Sequence, residues 1–239
     1  MRTIPVIVCM VLFISLVSMG CEEDSSNDSP RAVLSLEPAV AWIFDNATTT
    51  EDADITFNAT DSSDPDGEIR NYHYVFGEGN TTDLGNPTFD RTYEEGGEYI
   101  TGLTVSDDEG ATDSVEQILI VNYQYQRTGQ VLDATTGSST SDDHPFPVSL
   151  YHPDTGEVEV IINAPDVGSP PSVNITVYNE DDEVVAEERE ENINGNVTIT
   201  IELRNQDFTD YGSGQWRVEV ECENGSIQYD ITTQVLYKR

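Results

Sequence analysis

Apolar side chains in this chain recur at every second position in short runs, and no stretch settles into a helical period. Ile55, Phe57 and Ala59 alternate with polar residues. Tyr72, Tyr74 and Phe76 do the same, with His73 and Val75 opposite. Tyr99, Thr101, Leu103 and Val105 form a third run, and Val115 to Val121 closes the series. A period of two places alternate side chains on opposite faces of a pleated strand, so each run predicts a half-buried strand. The runs are separated by Asp64-Pro65-Asp66-Gly67, Gly77-Glu78-Gly79-Asn80, Glu95-Gly96-Gly97 and Asp107-Asp108-Glu109-Gly110. Proline presets φ for the second turn position and glycine accepts φ > 0 without a steric penalty, so these are turns.

The pattern continues in the second half. Val158, Val160 and Ile162 alternate, as do Val173, Ile175 and Val177. Asn179 to Glu183 reads as a turn, with Val184-Val185 as the return. Val197, Ile199, Ile201 and Leu203 make a further strand. Trp216, Val218 and Val220 are expected to pair with Ile227, Tyr229 and Ile231 across a hairpin at Glu223-Asn224-Gly225-Ser226, since Asn-Gly favours tight hairpin turns. The stretch from Gln130 to Pro147, rich in Asp, Ser, Thr, Gly and Pro, reads as a loop or linker. The expected fold class is all-β: two antiparallel β-sandwiches in tandem, at residues 32–122 and 123–239.

The first unit carries a specific resemblance. Asp61-Ser62-Ser63-Asp64-Pro65-Asp66-Gly67 is followed by Ile69, Tyr72, Tyr74 and Phe76-Gly77-Glu78-Gly79. Then come Thr92-Tyr93, Gly97-Glu98-Tyr99 and Leu103-Thr104-Val105-Ser106-Asp107-Asp108-Glu109-Gly110-Ala111-Thr112. In this order and spacing they resemble a PKD domain over about 90 residues. Tyr74-Val75 replaces the usual Trp-Asp before Phe-Gly, Glu78 the usual Asp, and Arg91 the usual His. The resemblance implies a seven-stranded, immunoglobulin-like sandwich used outside the cell for adhesion, spacing or polymer binding. Gly97-x-Tyr99 also fits a tyrosine corner, whose hydroxyl bonds backbone upstream. The order of elements near the C-terminus resembles the pre-peptidase or P-type jelly-roll domains of secreted proteases, which makes the second sandwich jelly-roll-like.

The N-terminus reads as an address. Arg2 precedes an uncharged apolar run from Ile4 to Met19, and Ser18-Met19-Gly20-Cys21 ends it. Residues 1–20 are therefore an export signal. Cys21 resembles the lipid-modified cysteine of a lipoprotein, although Ser18 stands where the usual pattern has Leu. Ordinary cleavage after Gly20 is the competing reading, and an uncleaved anchor, with a run short for a bilayer core, is the third. Residues 21–31, acidic and serine-rich, are expected to be a tether. Sequons at Asn27, Asn46, Asn58, Asn80, Asn174, Asn196 and Asn224 mark candidate glycosylation sites of an exported protein.

Charge sharpens the picture. Among 239 residues, 46 are acidic and 10 basic, a formal net of −36. Such a surface repels phosphate backbones and anionic headgroups, which argues against nucleic acid and against membrane contact other than through the anchor. With three cysteines, one inside the export signal, a disulfide framework is not expected. Asp61, Asp64 and Asp66 alternate with small or turn residues, so their oxygens could converge on Ca²⁺, which takes six to eight oxygen ligands; a turn capped by its own side chains is the competing reading. Asp142-Asp143-His144 reads as solvated loop. No zinc, nucleophile-elbow or phosphate-loop motif is present. Trp42, Trp216 and the tyrosines could stack on sugars, but core packing is the expectation. The functional expectation is a non-catalytic cell-surface protein for adhesion, spacing or polymer and glycan binding, partnered by an extracellular protein or polysaccharide. The alternatives are an accessory attachment subunit of a secreted hydrolase, or a carboxylate-based hydrolase.

Overall fold

The computed structural model describes residues 26–46, 48–77, 79–151, 153–165 and 169–237. The expected export signal at 1–20, Cys21, Glu78 and His152 lie outside the described residues. The chain is all-β apart from one short helix.

The first sandwich is built from β1 (Ser35–Glu37), β2 (Val40–Asp45), β3 (Thr50–Glu51), β4 (Ala53–Asn58), β5 (Ile69–Val75), β6 (Thr81–Leu84), β7 (Thr88–Tyr93), β8 (Gly97–Asp107) and the start of β9 (Thr112–Val148). One sheet runs β1-β4-β7 and the other β6-β5-β8-β9, with β2 parallel to β9. The predicted alternation is observed: Ile55, Phe57, Tyr74, Phe76, Leu103 and Val105 all point into the core. Phe57 meets the Phe76 ring edge-on at 5.0 Å, a favoured aromatic geometry. Tyr74, in the place of the usual Trp, donates its hydroxyl to the Pro87 carbonyl at 2.8 Å. Arg91 lies over the Phe76 ring at 4.8 Å. The tyrosine corner is present, with Tyr99 donating to the Glu95 carbonyl at 2.7 Å.

The second sandwich adds β10 (Thr155–Ala164), β11 (Ser172–Tyr178), β12 (Val184–Glu190), β13 (Gly195–Arg204), α1 (Asn205–Tyr211) and β14 (Gly214–Leu236). Its two longest strands, β9 and β14, pair with each other throughout and bend from one sheet into the other. One sheet therefore runs β13, β10, the second half of β14 and the middle of β9. The other runs β12, β11, the first half of β14 and the end of β9. Counting each long strand twice gives eight strands in two sheets, the arrangement of a jelly roll. The bends fall where backbone φ is positive: Gly129 and Gly137 on β9, Asn224 and Gly225 on β14. A strand that changes sheets must also swap the face that it buries. Trp216, Val218, Val220 and Cys222 point inward before the bend, and Ile227, Tyr229 and Ile231 after it, a change of parity.

Three sequence expectations are corrected. Asn224-Gly225 is a sheet-crossing bend rather than a hairpin, and both flanking runs pair with β9; Asn224 Oδ1 accepts the Gly137 N–H at 2.7 Å. Gln130 to Pro147 is strand rather than loop. Its far half has no second partner strand among the described residues, and Pro145 and Pro147 are tolerated there because an open edge needs no donor. The tether is docked from Asn27 onward: Asn27 Nδ2 donates to Asp107 at 2.9 Å, and Arg31 exchanges two backbone bonds with Ser63.

The junction between the sandwiches is covalent, laddered and packed. β9 runs through it, changing partner from β8 to β14 along one edge while β2 holds the other. Beneath it Tyr93, Tyr99 and Tyr151 pack in a row, at 4.6 and 5.5 Å between ring centres. Tyr237 joins them, accepting the Ser149 N–H at 3.0 Å through its hydroxyl while its own N–H donates to Asn122 at 2.9 Å.

Candidate functional site

Because β9 belongs to both sandwiches, one sheet face runs unbroken from the first into the second. Cross-strand partners share a face, so the register places its residues. Ile100 pairs with Ile118, Val40 with Ile120, Trp42 with Asn122 and Phe44 with Gln124. Gln124 in turn pairs with Gln234, and Gln234 with Glu157; Ile161 follows four residues on along β10. Their neighbours Ala41, Ile43, Tyr99, Tyr123, Tyr125, Val160 and Ile162 point into the cores, so this set lies on the outer side of the sheet, where Ile120 and Asn122 are covered and the others are exposed or half-buried.

The face is unusually apolar for so acidic a chain. Ile100 is 59% exposed, Val40 54%, Ile118 48%, Ile161 44% and Phe44 40%. These are five of the eight large hydrophobic side chains exposed among the described residues, gathered on one sheet face. Exposed apolar side chains scattered singly need no explanation, whereas a concentration on one surface marks an interaction site. Trp42 is half-buried and lies parallel to Phe44, with ring centres 6.0 Å apart and planes inclined by 15°. Trp216 is the core residue that was expected: it is fully buried between Phe146 and Phe208. Trp42 departs from that expectation. The overlooked signal is that β2 is apolar on both alternations, with Ala41 and Ile43 inward and Val40, Trp42 and Phe44 outward.

An amide pair lies beside the two rings. Gln234 Nε2 donates to Gln124 Oε1 at 2.8 Å. On the opposite side of the sheet, Asp45 receives Arg127 at 3.2 Å and the Tyr123 hydroxyl at 3.0 Å, and Arg127 also lies 4.0 Å over the Tyr125 ring. Burial, with Asp45 beside it, pushes the Tyr123 pKa well above its ordinary value. A cleft of about 260 Å³ lies to one side of the junction, bounded by Glu94, Glu95, Pro147, Leu150 and Tyr237.

The acidic loops of the first sandwich form a separate feature. Asp64 and Asp108 converge on the space beside Gly67, and Asp108 accepts the Glu68 N–H at 3.0 Å. Asp66 accepts the Asp28 N–H at 3.0 Å. Asp107 caps its own turn, accepting the amides of Glu109, Gly110 and Ala111. Neither buried oxygen of Asp64 makes a well-formed hydrogen bond. Desolvation raises the Asp64 pKa, the Asp66 amide partly offsets this, and the charges of Asp66, Asp107 and Asp108 add to it. Among the described residues no three His, Cys, Asp or Glu side chains form a group that could hold a metal ion.

His144, expected in a solvated loop, is buried in the second core, 3% exposed. Of the glycosylation candidates, Asn46, Asn80 and Asn196 are exposed. Asn27, Asn58, Asn174 and Asn224 are half-buried, and Asn174 Nδ2 is engaged by Glu187 at 2.7 Å. No helix among the described residues is long and apolar enough to cross a membrane.

Comparison with known proteins bears on the first sandwich. Residues 36–122 match the family model of the PKD domain. The chain is 31% identical over 97 residues to a microbial collagenase of Vibrio alginolyticus, covering 41% of this chain and 11% of that protein. It is 33% identical over 95 residues to collagenase ColA of Clostridium perfringens (strain 13 / Type A), covering 40% and 8%. It thus spans about a tenth of the length of these curated relatives. Among solved structures, the PKD1 domain of the Vibrio cholerae metalloprotease PrtV is 30% identical, covering 39% of this chain and 98% of that one, with a TM-score of 0.31. Carbohydrate-binding modules of the β-sandwich superfamily align over 88% of this chain and 98% of theirs, at 18% identity and a TM-score of 0.36. The match of family model, strand order, tyrosine corner and loop landmarks identifies residues 36–122 as a PKD domain.

Proposed function

We propose that this is an exported, non-catalytic surface protein that attaches to an extracellular polymer. Its two sandwiches project as one stiff unit, and lipid on Cys21 holds it to the membrane. The observation that carries the reading is the outward sheet face shared by both sandwiches, where exposed apolar side chains gather on a chain otherwise covered in carboxylates. An exposed apolar face carries a standing free-energy cost in water that a bound partner removes. The shared strand β9 and the tyrosine row keep the two halves of that face in fixed relation.

A second reading, an accessory subunit that brings a hydrolase to its substrate, is favoured by the matches to two collagenases. Both readings place the same face against a polymer.

The test is retention of the full-length chain on insoluble polysaccharides and on fibrillar collagen, scored for binding and for release of soluble fragments. Binding without fragments is expected. Fragment release by the purified chain would overturn the non-catalytic reading, and failure to bind any polymer would leave only a spacer. Anchoring is tested by lipid labelling of the chain against Cys21→Ser, where only the parent should take up label.

A further inference from the structure

We propose that the polymer is a neutral polysaccharide, that Trp42 and Phe44 are its stacking platform, and that the Gln124–Gln234 amide pair orients it. This rests on the polymer-binding reading and assigns the ligand class and the residues.

The two rings stand on the outer face of β2, above a core already filled by Ala41 and Ile43. They are stacked, their planes within 15° of parallel and their centres 6.0 Å apart, so they form one continuous apolar ridge rather than two unrelated side chains. A sugar ring has C–H bonds on its faces and hydroxyls around its rim. An aromatic face meets the first, and amides and carboxylates meet the second. Phe44 is directly cross-strand from Gln124, so ring and amide lie on adjacent strands of the same face. The Gln234-to-Gln124 bond uses one donor and one acceptor. It leaves the Gln124 amide hydrogens and the Gln234 carbonyl to face a ligand, which together offer a hydroxyl both a donor and an acceptor. Glu157, the next residue across, adds an acceptor.

Charge selects among polysaccharides. Arg127 is turned to the other side of the sheet, where Asp45 and the Tyr125 ring hold it. The rest of the face is bordered by Glu98, Glu116 and Glu157, within a chain of net charge −36. Uronate or sulfate groups would be repelled, whereas uncharged hydroxyls can donate to these carboxylates.

The test measures depletion of the full-length chain onto cellulose and xylan, with alginate and fibrillar collagen as comparison arms. Neutral polysaccharide should retain the parent, and alginate should not. Trp42→Ala and Phe44→Ala should each weaken retention by about tenfold, the scale of losing one aromatic contact, at little change in Tm. Gln124→Ala should weaken it less, and Val131→Ser, an exposed apolar residue off this set, not at all. If Trp42→Ala melts early, Phe44→Ser carries the test. A soluble oligosaccharide should change the tryptophan emission of the parent and leave that of Trp42→Ala unmoved. Retention on neutral polysaccharide that survives both aromatic substitutions overturns the platform but leaves the polymer-binding reading standing. Retention on collagen alone, or on alginate as well as on neutral polymer, overturns the ligand class. Failure on every polymer overturns both readings.

Discussion

The hydroxyl of Tyr125 lies 3.0 Å from Nδ1 of His144, inside the second sandwich. On the opposite side of the ring, Nε2 lies 2.8 Å from the hydroxyl of Tyr229, which donates onward to Asp142 at 3.1 Å. The chain of donors fixes the proton. Since Tyr229 gives its hydrogen to the carboxylate, it accepts from Nε2–H; burial favours the neutral ring, in which Nδ1 accepts from Tyr125. His144 is therefore the neutral Nε2–H tautomer.

That assignment predicts a pH dependence. Burial lowers the His144 pKa; Asp142 and Asp143 oppose the shift, and Arg127 reinforces it. A histidine with a depressed folded pKa binds protons more readily when unfolded. Its contribution is intact above the unfolded pKa of about 6.5, and is lost as pH falls from there toward the folded value. Melting temperature should drop between pH 7 and pH 5, and His144→Gln should flatten that slope. Equal slopes in the two proteins would show that His144 carries its charge in the fold.

Gly156 supplies a steric prediction. A Cβ there would lie 2.9 Å from the Phe208 ring and 3.2 Å from the Gln234 carbonyl. Phe208 is held against Trp216 at 5.2 Å, so it has little room to retreat. Gly156→Ala should cost about 1–3 kcal/mol by overpacking. Urea unfolding should show a lower midpoint at unchanged m. An unaltered midpoint would mean that α1 moves freely on the sheet.

Most of the strands were readable because inward positions such as Phe57, Leu103, Val160 and Ile201 alternate cleanly with polar ones. The far half of β9 was not, since Ser139, Asp143, Pro145 and Pro147 are residues of poor strand propensity. Only the outer edge of a sheet accepts them, and an edge is a tertiary fact. Asn224-Gly225 misled for a related reason. The same left-handed backbone serves a hairpin or a sheet crossing, and the choice depends on β9 lying alongside. Helix α1, seven residues long, is too short to show a period. The candidate site was half legible. Trp42 and Phe44 are visible as aromatic residues, but only the register shows that they share a face with Gln124 and Ile100.

Asp64 predicts a gain on neutralisation. Its buried oxygens lack well-formed hydrogen bonds and face Asp66, Asp107 and Asp108, and its pKa is raised. A carboxyl whose folded pKa exceeds its unfolded value weakens the fold above both, and the penalty disappears as pH falls below both. Asp64→Asn should melt higher than the parent at pH 7, and the two should converge near pH 3. Since Asp66, Asp107 and Asp108 accept backbone amides, EDTA should leave the melting temperature of the parent unchanged. A calcium-dependent rise that Asp64→Asn abolishes would assign these loops to calcium instead.

Cys222 offers a readout of the second core. The thiol is buried on β14 beside Asp133 and Glu223, and its pKa is pushed up to about 11, chiefly by burial. Only the thiolate attacks disulfide reagents, and at neutral pH this group is held as the thiol. In a chain that starts at residue 21 and carries Cys21→Ser, native protein should be inert to an aromatic disulfide reagent at pH 8 and should titrate one thiol in denaturant. The rate of native labelling then reports the opening of the bend at Asn224-Gly225, because the sulfur lies 3.6 Å from the Gly225 carbonyl. Asn224→Ala, which puts a residue poorly suited to φ of 59° at that bend, should speed labelling while leaving the first sandwich unaffected. Fast labelling of the unsubstituted protein would place Cys222 at the surface and count against the packing of this strand.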